Sequence, residues 1–321
     1  MSIKTKCLLV GLFLGAGFQS NAQSDSTDRY RPKVAEFSLG SLMDYHTVSS
    51  SENLTNTQNE VEADLLLNAK VAVPIILQSD QAAGLQLKYS RHRFMFDDQD
   101  FQADNGLYSH LEAHRFTVAG VRGFYQRDLN ASDQLKFAAG AEIRSDRITW
   151  NRNTSRIFAS GIWTRKLNSK TTVGTGFVAG LEMQLFSFYP LLIYERQLAP
   201  SWVLDAQLPK SVRVRKKLNA SNYLIGATQL RGWRYNLSNS IETVDGDLTL
   251  RRADLEISIT WERELHDWLW CSVSVGYNKN LRYYLAEPGQ RRRNALATIR
   301  ANDARYAKVG LFLVPPKKFY Q

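Results

Sequence analysis

From Val61 to Ile75 every second residue is apolar: Val61, Ala63, Leu65, Leu67, Ala69, Val71, Val73 and Ile75 hold the odd positions. Glu60, Glu62, Asp64, Asn68 and Lys70 stand at even ones, with Leu66 among them. Successive side chains of a strand point to opposite faces, so a period of two gives one oily and one charged face. The run is longer than the usual globular strand. The pattern returns at Leu85, Leu87 and Tyr89 around Lys88, and at Leu135 to Ile143 around Lys136, Glu142 and Arg144. It returns again at Val173 to Leu185 opposite Glu182, and at Ala253 to Trp261 opposite Asp254 and Glu256. Leu269 to Tyr277 and Ala307 to Leu313 close the series. Weaker strands are expected over 37–45, 116–124, 157–163 and 223–233, with short ones at 191–198, 202–208 and 212–218. Every segment counted gives fourteen strands, and merging short ones gives twelve.

A soluble sandwich also alternates, so the connections matter. Long polar stretches at 46–58, 96–106, 235–247 and 281–304 alternate with short ones at 78–81, 127–133, 167–170 and 264–267. Long loops outside and short turns on the periplasmic side are the habit of membrane barrels. Trp202, Trp261 and Trp268 stand beside short turns, where an interfacial girdle belongs. Trp270 shares the inward parity of Trp268, so the girdle is imperfect. The fold class expected is all-β: a single antiparallel transmembrane β-barrel of twelve to fourteen strands, following a cleaved signal peptide.

That leader is read from Lys4 and Lys6, the apolar run Cys7–Phe18, and the small residues of Ser20-Asn21-Ala22. The run is too short to span a bilayer as a helix. The domain plan is therefore 1–22 signal peptide, 23–33 periplasmic lead-in, 34–314 barrel in the bacterial outer membrane, and 315–321 tail. Cleavage leaves Cys271 as the single cysteine, which rules out a disulfide within the chain.

Composition changes the picture little, since 44% hydrophobic and 22% charged residues are ordinary for a folded protein. The net charge of +10 falls to +8 once Lys4 and Lys6 are removed, leaving 39 basic against 31 acidic residues. That balance suits contact with anionic lipopolysaccharide or a lumen that favours anions. No nucleic-acid-binding motif accompanies it, and no nucleic acid is expected as a partner. The partners expected are outer-membrane lipid and lipopolysaccharide, with barrel-assembly machinery and periplasmic chaperones during biogenesis.

Several residues invite chemistry. His110 and His114 flank Glu112, but the spacing is not that of a zincin. On a strand the two histidines would lie about 13 Å apart, too far to share one ion. Asp97, Asp98, Asp100 and Asp104 cluster without calcium-loop spacing and are read as a solvated loop. Arg213, Arg215, Lys216 and Lys217, and likewise Arg291 to Arg293, are read as solvated charge. His92 lies two residues from Ser90, as any polar pair on one strand face would. Nucleophile-elbow, Walker and HExxH patterns are absent, so no enzyme, metal or cofactor is expected.

The inward face is the most functional feature: Glu60, Glu62, Asp64, Lys70, Lys88, Lys136, Glu142, Arg144, Glu182, Asp254 and Glu256 are its candidate lumen charges. Such charges either filter ions in a water-filled pore or pair across strands and close it. If they filter, reversing Glu62 or Lys70 changes selectivity.

The ending Ala22-Gln23, the opening strand Ala35-Glu-Phe-Ser-Leu-Gly-Ser, and Trp202-Val-Leu-Asp-Ala-Gln-Leu-Pro-Lys-Ser with Val212-Arg-Val-Arg carry a family likeness. In these the chain resembles outer-membrane barrels of the Bacteroidetes type known by a domain-of-unknown-function label. The resemblance implies a single barrel in the outer membrane and transfers no catalytic or ligand residue. The chain departs from the general barrel habit of a terminal aromatic, because Val314 is followed by Pro315 and Pro316. Three functions stay open: a passive channel or porin for small solutes, a closed structural or surface-interaction barrel, and a lipid-acting enzyme.

Overall fold

The computed structural model describes residues 32–50, 57–97, 107–238 and 246–316. The signal peptide, most of the lead-in, Asp98, Asp100, Asp104 and the end of the tail lie outside the described residues. Fifteen strands form one sheet: β1 (Ala35–Ser50), β2 (Thr57–Leu77), β3 (Gln81–Phe96), β4 (Phe116–Asp128), β5 (Asp133–Ser145), β6 (Ser155–Asn168), β7 (Thr171–Glu182), β8 (Leu185–Ala199), β9 (Trp202–Leu208), β10 (Ser211–Asn219), β11 (Asn222–Leu237), β12 (Leu248–His266), β13 (Leu269–Ala286), β14 (Ala297–Ala301) and β15 (Ala304–Leu313). Each strand from β1 to β13 pairs antiparallel with the next, and β13 and β1 both pair with β14 and β15, which closes the ring. Since β14 and β15 occupy successive halves of one stave, the barrel has fourteen staves, at the upper end of the range expected.

Closure satisfies backbone groups without water, which is what lipid demands of a spanning sheet. The outer face is apolar. Phe37, Val71, Val73, Leu87, Phe177, Phe188, Ile257, Ile259, Val275 and Val309 are among its large exposed side chains, at the alternate positions expected. A belt of this extent around every side far exceeds the apolar patches of soluble monomers. Among the described residues no helix is long and apolar enough to cross a membrane.

Two bulges invert the alternation near the outer end. Asp44 in β1 has a φ of 51° and drops out of the β1–β2 register, and Glu62 drops out of the β2–β3 register. Below them Ser38, Leu42 and Asp64 face inward; above them Tyr45, Thr47 and Val61 do. The β2–β3 pairing shifts by one residue at Glu62, and beyond Asp44 and Glu62 the alternation resumes with the faces exchanged.

The ring is uneven. The β9–β10 hairpin is much shorter than its neighbours, and β8 meets β9 only from Leu192 onward while β10 reaches β11 only as far as Gln229. Above the hairpin β11 instead touches β5, in a parallel contact of Asn236 with Ser145. The upper end of β11 therefore turns to β5, and its Arg234 reaches Glu182 at the end of β7. Tyr235–Leu237, Leu248–Arg252 and Tyr283–Ala286 are buried on both faces.

Candidate functional site

The lumen has three levels. Its outer end is filled by a core that includes Tyr45, Phe94, Phe96, Phe116, Tyr235, Leu250, Tyr283, Leu285 and Tyr306. Inward positions of the ring supply these side chains, and a short helix, α1 (Leu107–Ala113), adds Leu107, Tyr108 and Leu111 from above. The rings of Phe94 and Phe116 meet edge to face, as do those of Phe96 and Tyr108. Between Phe94, Trp233, Tyr235, Leu250, Arg252 and Tyr283 no space is left for a water molecule. Leu111 is fully buried in the core, and Leu111→Ala is expected to cost about 2–5 kcal/mol of unfolding free energy. Denaturant titration of the refolded protein measures this, and a loss near zero would place α1 outside the seal.

Beneath the core sits a buried charge network. Arg252 Nη1 donates to the Tyr45 hydroxyl at 2.7 Å and lies 3.3 Å from Asp64 Oδ2, and its Nε meets Asp254 at 3.0 Å. His92 bonds Asp64 through Nε2 and faces the Tyr235 hydroxyl at 3.2 Å through Nδ1. A second network joins β3, β5, β6, β7 and β11. Glu142 takes Arg144 at 2.6 Å, Lys88 at 3.3 Å and Arg156 at 3.3 Å, while Glu182 takes Arg144 at 3.0 Å and Arg234 at 3.1 Å. Glu256 pairs with Arg231 at 2.9 Å. Each acid is held by at least one guanidinium, the geometry that offsets desolvation best.

The periplasmic level is wetter and more basic. Lys70 reaches Glu36 at 3.6 Å, and Lys136 is exposed to the lumen. Arg122, Arg213, Lys70 and Arg156 all act as neighbouring positive charges on Lys210, at the tip of the short hairpin. At the bottom, Trp270 stacks on Phe312 inside the barrel, whereas Trp268 lies exposed in its turn.

Of the candidate lumen charges, Asp64, Lys70, Lys88, Lys136, Glu142, Arg144, Glu182, Asp254 and Glu256 stand on the inner face. Glu60 and Glu62 do not. Both are exposed, and Glu60 lies 3.9 Å from His46 on the outer side, because the bulges at Asp44 and Glu62 invert the face. The expectation that Glu62 filters ions is withdrawn on that ground. His110 and His114 are also corrected: His110 rides on α1, His114 directly follows it, and the two rings stack with centroids 4.0 Å apart, since 107–113 form a helix rather than a strand. Arg213 pairs with Asp205 at 3.0 Å, Lys216 lies over Trp202, and Arg291, Arg292 and Arg293 are exposed as expected.

Sequence reasoning missed Arg252, the centre of the first network, because it looked only at positions inside the clean alternation. Also missed was the outward face of upper β11 and β12. There Asn236, Thr249 and Arg251 are buried, and among the described residues Arg251 Nε and Nη2, the Asn236 amide and the Thr249 hydroxyl have no hydrogen-bond partner. Outside the spans, Asp146 caps this region. Burial would raise its carboxyl, but hydrogen bonds from His110, Ser238 and Ser145 outweigh that and hold it below the usual range.

The chain is a closed β-barrel with an apolar outer face. The COG4313 outer-membrane channel of Pseudomonas putida F1 is similar at 10% identity, covering 90% of this chain and 100% of that one, with a TM-score of 0.43. A Pseudomonas aeruginosa FadL homologue gives 10% identity, 88% and 90% coverage and a TM-score of 0.43. The P. putida toluene transporter TodX gives 10% identity, 93% and 98% coverage and a TM-score of 0.39. No family model matches, and no curated protein matches.

Proposed function

We propose that this barrel is a channel for small apolar or amphipathic solutes that enter through its wall rather than along its axis. The observation carrying this is the interrupted wall above the β9–β10 hairpin. There Leu185–Leu191 of β8 has no strand partner on the β9 side, and β11 above Gln229 has none on the β10 side apart from the contact with Ser145. An unpaired edge at the height of the apolar belt is costly in lipid unless it lines a cavity or passage. Phe186, Phe188 and Leu192 on β8 and Leu230 on β11 give the flanks an apolar character. The donors of Arg251, Asn236 and Thr249 that have no partner among the described residues stand on the upper parts of β11 and β12 and favour a solute with an anionic end. Below, the charges around Lys210 lead towards the periplasm. The membership suggested by the family resemblance is proposed alongside this function.

A closed barrel without transport is the second reading, favoured by the filled outer lumen. One experiment separates them: entry of the apolar fluorophore N-phenyl-1-naphthylamine into cells with and without the protein. The channel reading expects faster entry with the protein. It also expects loss of that gain when β9 and β10 are lengthened to match their neighbours, with heat-modifiable gel mobility retained. Equal entry with and without the protein would leave the closed barrel.

A further inference from the structure

We propose that His110, His114 and Asp146 form a binding site for one divalent transition-metal ion, zinc foremost, at the outer mouth of the barrel. The site is built from two loops. Helix α1 belongs to the β3–β4 connection and is held by Leu107, Tyr108 and Leu111, which sink into the lumen core. That packing fixes the rest of the helix and leaves His110 and His114, one turn apart, side by side. Asp146 comes from the start of the β5–β6 connection.

The donor atoms converge. One nitrogen of each histidine and one oxygen of Asp146 lie within 4.8 Å of one another, the only such trio among the described residues. His110 Nε2 is 3.2 Å from Asp146 Oδ2. Two ligands at 2.0–2.1 Å on a tetrahedral ion stand about 3.3 Å apart, so this pair is already spaced for shared coordination. His114 faces the His110 carbonyl through Nδ1 at 2.9 Å, which makes Nδ1 the donor and leaves the Nε2 lone pair for an ion. A backbone carbonyl behind the ring is the common way a metal-binding histidine is oriented. Asp146 is oriented too: Ser145 Oγ donates to Oδ1 at 2.9 Å, and the Ser238 backbone N–H reaches Oδ2 at 3.0 Å. Two imidazoles and one carboxylate suit zinc, copper or nickel rather than calcium or magnesium, which prefer all-oxygen sites. Three protein ligands leave a fourth position for water or an outside group. A bound ion would tie α1 to the β5–β6 loop and so hold down the helix that caps the lumen.

Cobalt(II) and zinc titrations of the refolded protein in detergent test this. The expected result is one ion per chain, the visible absorption of tetrahedral cobalt, its displacement by zinc, and a higher melting temperature that a chelator reverses. His114→Ala and Asp146→Asn should lose the cobalt spectrum and the zinc-dependent stabilisation while keeping heat-modifiable mobility. His266→Ala, at the opposite end of the barrel, should keep both. A protein without cobalt absorption or zinc stabilisation would overturn the site, and so would His114→Ala binding zinc as tightly as the parent. The readout does not involve solute passage, so its failure leaves the channel reading standing.

Discussion

Arg252→Ala is expected to lower the unfolding free energy of the refolded barrel by about 3–5 kcal/mol, the cost typical of removing one partner of a buried ion pair. Arg252 touches Tyr45, Asp64 and Asp254, and it lies between the rings of Tyr45, Trp233 and Tyr283 at 4.9, 5.1 and 5.3 Å. Its own exposure is 4%, and Asp64 and Asp254 stand at 1% each. Truncation strands two carboxylates under an aromatic lid with no other guanidinium in contact. Arg252→Lys should recover part of the loss, since an ammonium keeps the charge but cannot bond both acids and stack on rings together. Guanidinium titration followed by tryptophan fluorescence reports the difference, with Trp233 beside the lesion. A cost under about 1 kcal/mol is what exposed pairs show, and would mean that water reaches the network.

Why Arg252 escaped sequence reasoning is instructive. The staves were legible because lipid on one side and a polar lumen on the other impose a strict period of two, as in Val61–Ile75 and Ala253–Trp261. Where a strand leaves that two-solvent environment the pattern dissolves. Leu248–Arg252 is buried on both faces, so Leu250 and Arg252 point into the lumen core while Thr249 and Arg251 are buried on the other face. Nothing local in those five residues marks the burial of both faces. The bulges at Asp44 and Glu62 hide similarly, because a bulge is a property of a strand pair. Helix α1 is not legible, and its segment reads as a strand or loop edge, because seven residues carry too little periodicity to choose. The lumen charges nearer the periplasm, by contrast, followed directly from parity, since β3, β5 and β7 keep one register throughout their pairings with β4 and, for β7, with β8.

The filled outer lumen should decide conductance. In planar bilayers the parent protein is expected to show no steady ohmic steps, because the aromatic core closes the axis. A variant with Phe94, Phe116, Tyr235 and Tyr283 replaced by alanine removes four rings from one level of that core. Fourteen staves approach the size at which barrels hold a continuous aqueous channel, so the backbone ring itself leaves room for water once the rings are gone. Ohmic steps are the expected result, with a reversal potential that favours anions, since Lys70, Arg122, Arg156 and Lys210 gather below the seal. Arg122→Glu and Lys210→Glu in the opened background should then shift the reversal potential towards cations, most strongly together. Hydrogen bonds between staves hold the barrel independently of its plug, so heat-modifiable mobility should survive and vouch for the fold. A folded but silent quadruple variant would place the seal below Arg252, in the Glu142–Glu182 network. Open steps without anion preference would instead mean that the acids around Lys136, Glu195 and Asp205 among them, cancel the basic field where ions pass.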